Sequence, residues 1–414
     1  MKRIAIFIDG TWNRPDAEHP TNVVRLARCV RHRNDGDMPQ VVLYSPGVGA
    51  GRGNTRASRA LDRFLGGALG WGLTDIIEDV YRQLVFIYEP GDELMVFGFS
   101  RGAFAARSLV GLIRSSGIPA RDKLAEIPAA MARYRSRAPD THPDHPDTLA
   151  FRASFAPRVI LNDTEQRWRE KQGLETGGTV RLSIAYLGVW DTVSALGLPA
   201  FLPFAARFNA QYRFHDAKLS SIVRAARHAI ALDERRRLFP SHPWDNMPVL
   251  NARHDSNLIP SHMQQWFPGN HGSVGGGGSR VGLSSIALNW IALGAARAGL
   301  ALDWSEVDRV APRFDVTGML ENNFGPVGLS GAVLNAFTAD REGPAGLDEV
   351  SMAAIDRCHL RPDYARTPSL RHVYHGLRRI DDARRATIRK ARKWADGGYT
   401  HLPGQIMRPR GWRD

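Results

Sequence analysis

Apolar runs alternate with helix-like periodic segments along the first half of the chain. Residues 4–8, 41–44 and 94–97 are continuous apolar runs, and each one ends at or near a glycine. Between the second and third runs, apolar residues from 76 to 88 recur at spacings of three and four, which predicts a helix starting near Thr74. Buried strands alternating with helices predict an α/β fold with a doubly wound, mostly parallel sheet.

The second half continues this pattern less regularly. Residues 184–189 form another apolar run that ends at Trp190-Asp191, and residues 228–232 and 263–267 are weaker strand candidates. The longest apolar-leaning stretch, 281–302, is interrupted by two serines, an asparagine and an arginine, which favours a buried or amphipathic helix over a membrane span. We therefore expect no transmembrane segment.

These elements divide the chain into a sheet domain and an extension. We expect one domain over residues 1–310, with helical insertions at about 120–175 and 195–225, followed by a basic helical extension over 311–414. From residue 376 onwards the chain carries eleven Lys and Arg residues against four Asp. This segment accounts for over half of the excess positive charge.

Composition narrows the class of protein further. The 414 residues are 43% hydrophobic and 23% charged, which excludes disorder, collagen and coiled coil. Only Cys29 and Cys358 occur, without the CxxC spacing of a zinc or redox site, so a packed core must stabilise the fold. The net charge of +13 implies attraction to an anionic partner, such as nucleic acid, a phospholipid surface or an acidic protein.

We expect no secretory signal at the start of the sequence. The basic start at Lys2-Arg3 is followed by only five apolar residues before Asp9, too few for the apolar core of a signal peptide. We therefore expect a cytoplasmic protein, or one exported by a secretion system that does not use signal peptides.

The candidate nucleophile is a serine on a strand-to-helix turn. Ser100 lies in the G-x-S-x-G sequence that starts at Gly98 and ends at Gly102, between the run 94–97 and a helical segment. Glycines two before and two after the serine give the strained backbone room to turn. This geometry presents the hydroxyl at the sheet edge and directs backbone N–H groups to where an oxyanion would form.

An activated serine needs a base and an orienting acid, which follow it along the chain in doubly wound hydrolases. Asp191 directly follows the strand predicted over 184–189 and is the candidate acid. Among the fourteen histidines, His271 is the candidate base, because it follows a strand and a Pro268-Gly269 turn and precedes a glycine-rich loop. His228 is the alternative base, although its place at the start of a strand suits a core or supporting residue better.

Five ordered segments resemble the α/β-hydrolase domain family that includes phospholipase effectors of bacterial type VI secretion. They are FIDGTWN at 7–13, GFSRGA at 98–103, WDTV at 190–193, ALDER at 231–235 and WFPGNH at 266–271. The resemblance implies a serine lipase or phospholipase acting on acyl esters. The sequence departs from the family pattern in two places. Ser273 stands where members usually carry an aspartate two residues after the histidine, and only about a hundred residues follow the hydrolase domain, where members often have a larger portion.

The resemblance also assigns roles to residues. It implies Ser100, Asp191 and His271 as a catalytic triad. The turn of Asp9, Gly10 and Thr11 would lie beside Ser100, where Gly10 or Thr11 would supply an oxyanion N–H alongside that of Arg101; Asp9 would support the site. The resulting hypothesis is ester hydrolysis by acyl transfer, which requires no metal and no organic cofactor.

Other interpretations remain open for the flanking segments. The apolar stretch 196–204 is either a lid or acyl-binding wall or ordinary core, and the basic C-terminus would either contact an anionic membrane, bind nucleic acid or an acidic partner, or simply be a solvated helix. Nucleic acid is the less favoured partner. An aspartate-nucleophile phosphatase is rejected because Phe7 stands where that chemistry needs an acid, and the 47–53 loop matches no nucleotide-binding fingerprint.

Overall fold

The protein is built on a six-stranded parallel sheet. The computed structural model describes residues 1–11, 13–47, 72–193, 218–237, 239–252, 260–321 and 338–394, with side chains up to residue 386. Its strands are β1 (Arg3–Ile8), β2 (Gln40–Ser45), β3 (Glu93–Phe99), β4 (Val159–Ile160), β5 (Val180–Arg181), β6 (Ile184–Trp190), β7 (Ala226–Ala231) and β8 (His262–Phe267). The main sheet has the order β2-β1-β3-β6-β7-β8, and every neighbouring pair is parallel.

The strand order reverses beside β1. After β1 the chain adds β2 on one side, and then continues with β3 and the later strands on the other side. Ile8 at the end of β1 pairs with Ser45 of β2 and Gly98 of β3, so these carboxyl ends lie level. Ligands of open parallel sheets bind in the crevice outside such a reversal point. The residues that follow β1 and β3 therefore face the expected site.

Helices cover both faces of this sheet, which confirms the predicted doubly wound α/β fold. Every residue of β1 is buried, because alternate side chains enter a separate core on each face. The helices of the first 300 residues that the structure describes are α1 (Asn22–Arg28), α2 (Leu73–Ile87), α3 (Arg101–Ser116), α4 (Ile127–Arg135), α5 (Pro146–Phe155), α6 (Asp163–Lys171), α7 (Met247–Asn251), α8 (His271–Gly275) and α9 (Gly282–Arg297).

The first predicted insertion contains α4, α5, α6 and the small parallel pair β4–β5. A buried ion network ties α5 to α6: Glu165 accepts from Arg152 at 2.9 Å and from Arg169 at 2.6 Å. Buried charges persist only when they are paired in this way. Much of the second predicted insertion, 195–225, lies outside the described residues.

Described residues beyond 311 pack onto the sheet at β8. After α10 (Trp304–Val310), Val350 forms a parallel bridge with Trp266 of β8, and α11 (Met352–Leu360) buries Ala354 against the same region. The last described helix is the basic α12 (Tyr374–Trp394). Part of its positive charge is used within the fold, because Arg384 pairs with Asp356 and Arg385 with Asp381.

The predicted strands occur where expected, and most begin one or two residues earlier or end one or two later. One local expectation was wrong: the segment after the Pro268-Gly269 turn is the short helix α8 and not an open loop, because the Asn270 side chain caps it by accepting from Ser273 N. The possible lid at 196–204 and most of the 47–53 loop fall outside the described residues. No helix in the described part of the chain has the length and apolar character to cross a membrane.

Candidate active site

Ser100 lies at the reversal point of the sheet, between the end of β3 and the start of α3. Its backbone has φ 59° and ψ −126°, a conformation that residues other than glycine rarely adopt. A hydrogen bond from Ser100 N to Trp190 O, at 3.1 Å, helps to hold this turn against β6. Backbone strain of this kind occurs at functional sites, where the surrounding structure compensates for it.

The two glycines of the motif make the turn sterically possible. A Cβ on Gly98 would lie 2.4 Å from the carbonyl oxygen of Gly102. A Cβ on Gly102 would lie 2.3 Å from the carbonyl oxygens of both Ile8 and Asp9. Both distances are far shorter than real carbon–oxygen contacts, so each position requires glycine. The second contact also brings the start of α3 against the end of β1.

The turn after β1 lies directly beside Ser100. A Cβ on Gly10 would come within 3.2 Å of Ser100 Cβ. The Asp9 carboxylate lies beneath the turn, where it accepts from Gly10 N at 2.7 Å and from the hydroxyls of Thr21 and Tyr44. Burial raises the pKa of Asp9 to about 6, and these three donors limit the rise.

The hydrogen bond from Gly10 N to Asp9 affects which of the predicted N–H groups can bind an oxyanion. Because the Gly10 N–H already donates to Asp9, it is engaged within the turn. The backbone N–H of Thr11 makes no hydrogen bond to another described residue, and Arg101 begins α3, so its N–H lies at the positive end of that helix. Thr11 and Arg101 therefore fit the expectation better than Gly10 does.

The structure places Asp191 and His271 in direct contact. Asp191 follows β6, is fully buried, and its Oδ2 lies 2.5 Å from His271 Nδ1. Its other oxygen, Oδ1, accepts from Ala231 N at 2.9 Å. The backbone N–H of His271 donates to Glu234 at 3.1 Å, so the first residue of α8 is held at both its side chain and its main chain. An acid and an imidazole in this arrangement can orient a base.

A further charged residue, Arg341, binds the acid of this pair. The guanidinium of Arg341 donates to both oxygens of Asp191, at 2.6 and 3.1 Å, and also to the carbonyl oxygens of Ala231 and Phe239. Arg341 reaches the site because Thr338 forms a bridge with Arg236, which aligns the segment before Arg341. No local sequence pattern points to Arg341, which lies in the segment assigned to the extension.

These contacts set the charge states of the pair. Burial alone would raise the pKa of Asp191, but the charge of Arg341 and the hydrogen bond to His271 outweigh it and hold that pKa well below its usual range. Burial lowers the pKa of His271, and the hydrogen bond to Asp191 offsets only part of this effect. At neutral pH the site therefore holds an ionised carboxylate and a neutral imidazole, the form that accepts a proton.

The His271 ring packs against Phe99, which directly precedes Ser100. The ring of Phe99, the residue before Ser100, lies 4.6 Å from the His271 ring centroid to centroid. No hydrogen bond joins the Ser100 hydroxyl to the His271 ring among the described residues. Catalytic hydrogen bonds are often long before substrate binds, and tighten in the complex. The structure thus brings Ser100, His271 and Asp191 to one sheet edge, with one of the two expected hydrogen bonds formed.

The alternative base, His228, lies inside the sheet. It belongs to β7, is completely buried, and its Nε2 accepts from the backbone N–H of Thr192 at 3.2 Å. Burial, reinforced by the charge of Arg107, lowers its pKa well below the usual value. Its ring packs 5.0 Å from that of Trp244. His228 therefore supports the loop that carries Asp191, and its ring contacts Trp244, whereas the His271 ring contacts Phe99, the neighbour of Ser100.

Fold and site together define an α/β protein that presents a strand–serine–helix turn and an Asp–His pair at the reversal point of a parallel sheet. A family model described as "T6SS, Phospholipase effector Tle1-like, catalytic domain" matches residues 2–293. The chain belongs to this family. The matched range includes the whole main sheet and the three candidate residues, whereas Arg341 lies beyond it.

Individual relatives are more distant. Uncharacterized protein YEL023C of Saccharomyces cerevisiae is 26% identical over 257 residues, which are 60% of this chain and 33% of that protein, so the chain spans about a third of that curated relative. The crystal structure of an uncharacterized protein from Pseudomonas aeruginosa matches with TM-score 0.40 and 18% identity, and the match covers 76% of this chain and 49% of that chain. The Tle1 effector bound to the VgrG spike of the type VI secretion system matches with TM-score 0.31 and 17% identity over 66% and 52%, respectively.

Proposed function

We propose that the protein is a serine hydrolase that cleaves carboxylic esters of acyl lipids by acyl transfer. Ser100 is the nucleophile, His271 the general base and Asp191 the acid that orients it. The observation that carries the proposal is the contact between Asp191 and His271 at the sheet edge where Ser100 occupies a strained turn. Membership of a phospholipase effector family supports a lipid ester as the substrate.

The chemistry follows from the charge states of these residues. Neutral His271 takes the proton of Ser100 through Nε2 while Oγ forms a bond to the ester carbonyl carbon, and the carbonyl π electrons move to oxygen. Collapse of this tetrahedral oxyanion expels the alcohol, which takes the proton from His271. Water then attacks the acyl-enzyme by the same route and releases the fatty acid. Asp191 keeps Nδ1 protonated and stabilises the imidazolium in both steps.

Delivery and surface binding belong to the same proposal. The family name supports export by type VI secretion, and the net charge of +13 favours a membrane that contains anionic lipids. If surface charge contributes, hydrolysis of phosphatidylglycerol vesicles exceeds that of phosphatidylcholine vesicles at low salt, and the difference disappears at high salt.

The direct test is hydrolysis of 4-nitrophenyl butyrate and of diacyl phospholipid vesicles by wild type and Ser100→Ala. We expect both activities to disappear in the variant, together with labelling by a fluorophosphonate probe. Ser116→Ala is a matched control, because this serine lies in the adjoining helix and its buried hydroxyl has no hydrogen-bond partner. Activity retained by Ser100→Ala would exclude the mechanism, and loss in both variants would indicate damage to the helix.

A further inference from the structure

Asn13, in the turn after β1, has a buried side-chain nitrogen, Nδ2, with no hydrogen-bond partner among the described residues. The residue is only 9% exposed to solvent. Its Nδ2 atom is fully buried and has no acceptor among the described residues. The Thr11 hydroxyl in the same turn is also buried and unpartnered. Leaving a buried donor unpaired is unfavourable, so a specific unpaired group needs an explanation, and a catalytic role is one.

The position of this amide is well defined relative to Ser100. A Cβ on Gly10 would lie 2.9 Å from Asn13 Nδ2 and 3.2 Å from Ser100 Cβ, so both groups border the same point above Gly10. The backbone of Asn13 is held at both ends: its N–H donates to Gly10 O and its carbonyl accepts from Gly47 N. The side chain is thus carried by an anchored turn that lies beside Ser100.

We propose that the Asn13 side chain is a catalytic residue that donates a hydrogen bond from Nδ2 to the oxyanion formed on Ser100. This inference rests on the proposed function, and it extends the set of donors expected there. The Gly10 N–H is engaged by Asp9, so a backbone donor expected from this turn is already in use. A side-chain amide beside the nucleophile takes the place of this donor, alongside the N–H groups of Thr11 and Arg101.

The amide acts without giving up a proton. As Ser100 Oγ bonds to the carbonyl carbon, the π electron pair moves to the carbonyl oxygen and the charge is concentrated there. A fixed N–H donor binds this oxygen more strongly than the uncharged carbonyl, so it lowers the barrier and leaves ground-state binding nearly unchanged. When the intermediate collapses, the C=O bond re-forms and the hydrogen bond weakens again. The unpaired donor in the free protein is therefore already in place for the transition state.

The experiment is steady-state hydrolysis of 4-nitrophenyl butyrate by wild type, Asn13→Ala and Asn13→Asp. Removing one oxyanion donor typically lowers kcat by about 10²–10³-fold, and we expect this loss in Asn13→Ala with KM within about twofold. Asn13→Asp keeps the volume but replaces the donor by an anionic acceptor, so its loss should be at least as large. Asn251→Ala is the matched control, because its amide is bonded to His262 at the opposite end of the sheet.

A second measurement separates a catalytic role from a structural one. Butylboronic acid forms a tetrahedral anionic adduct with an active serine, whereas butyramide resembles the uncharged ground state. We expect both Asn13 variants to bind the boronate more weakly by the factor by which kcat falls, and to bind the amide as wild type does.

Unchanged kcat in Asn13→Ala, or losses that follow thermal stability and affect both inhibitors alike, would overturn the role of Asn13. An inactive wild type would instead overturn the proposed function itself. An active wild type that loses all activity in Ser100→Ala, combined with an active Asn13→Ala, would overturn only this inference.

Discussion

The two sides of the candidate active site differ in how their polar groups are satisfied. On the side of Asp191 and His271, both oxygens of Asp191 are hydrogen-bonded in a network that extends to Arg341 and Glu234, so we call it the saturated side, although Arg341 Nε has no partner among the described residues. On the side of the turn after β1, the unsaturated side, Asn13 Nδ2 and Thr11 Oγ1 are buried without partners among the described residues, and Ser100 has a strained backbone.

This difference matches the two tasks that acyl transfer sets. The acid–base pair must hold one orientation throughout the reaction, so its partners are present before substrate arrives. The oxyanion exists only transiently, so its donors are most effective if they are fixed in position but not yet engaged. A site with one saturated side and one unsaturated side is therefore consistent with an enzyme and harder to reconcile with a binding scaffold.

The largest expected effect breaks the saturated side at its base. His271→Ala should lower kcat/KM for 4-nitrophenyl butyrate by about 10²–10⁴-fold, the usual contribution of general acid–base catalysis. In the wild type, kcat/KM should be constant at neutral pH and fall only as the pH drops through a pKa below the ordinary histidine value, because burial disfavours the protonated imidazole.

His228→Gln is the comparison for this variant. Glutamine retains an acceptor for the Thr192 N–H, so activity and fluorophosphonate labelling should persist. If instead the His228 variant loses labelling and the His271 variant keeps it, the assignment of the base is reversed.

The next effect removes the cation from the saturated side. Arg341→Met leaves Asp191 buried beside His271 without its guanidinium partner, and breaking a buried ion pair in this way costs about 3–5 kcal/mol of the free energy of unfolding. The uncompensated carboxylate should also stabilise the imidazolium. The pKa of His271 therefore rises, and the acid limb of the kcat/KM profile moves to higher pH. Chemical denaturation and a pH–rate profile measure the two effects.

Two controls isolate the role of Arg341. Arg341→Lys keeps the charge but not the two-pronged contact, so its acid limb should stay closer to that of wild type. Arg309→Met removes an exposed ion pair with Glu306 and should leave the free energy of unfolding nearly unchanged. If Arg341→Met is as stable as Arg309→Met and the acid limb of its kcat/KM profile does not shift, then Asp191 does not need Arg341 to stay ionised and in position.

Local sequence patterns were sufficient to predict the fold and to select the candidate site residues. Strand, turn and helix around Ser100 are contiguous in sequence, so periodicity and glycine spacing define them directly. Asp191 was found because it follows a buried strand, and parallel strands bring such positions to a common edge. His271 required more, since the choice among fourteen histidines depended on the turn before it and on the family resemblance.

The contacts made at long range could not be predicted in this way. Arg341 is 150 positions from Asp191, in a segment with no strand or helix signal to place it. Asn13 was visible only as the last residue of a motif, because its unpaired amide depends on the packing of Gly10 against Ser100. The engaged N–H of Gly10 likewise follows from the orientation of the Asp9 carboxylate, which a sequence does not contain.

The smallest expected effect tests whether the unsaturated side depends on close backbone packing. In Gly102→Ala the new Cβ would lie 2.3 Å from the carbonyl oxygens of Ile8 and Asp9, and it would push the start of α3 away from the turn. Overpacking of this kind costs about 1–3 kcal/mol, and the displaced turn should reduce kcat as well.

Gly177→Ala is the control, because a Cβ there meets nothing within 4 Å, and we expect a change within about 0.5 kcal/mol. Thermal unfolding and ester hydrolysis of the two variants should therefore diverge. Equal stability and equal kcat in both would mean that the turn tolerates separation from α3. The donors on that side would then not be held in place by the backbone contact between β1 and the serine turn.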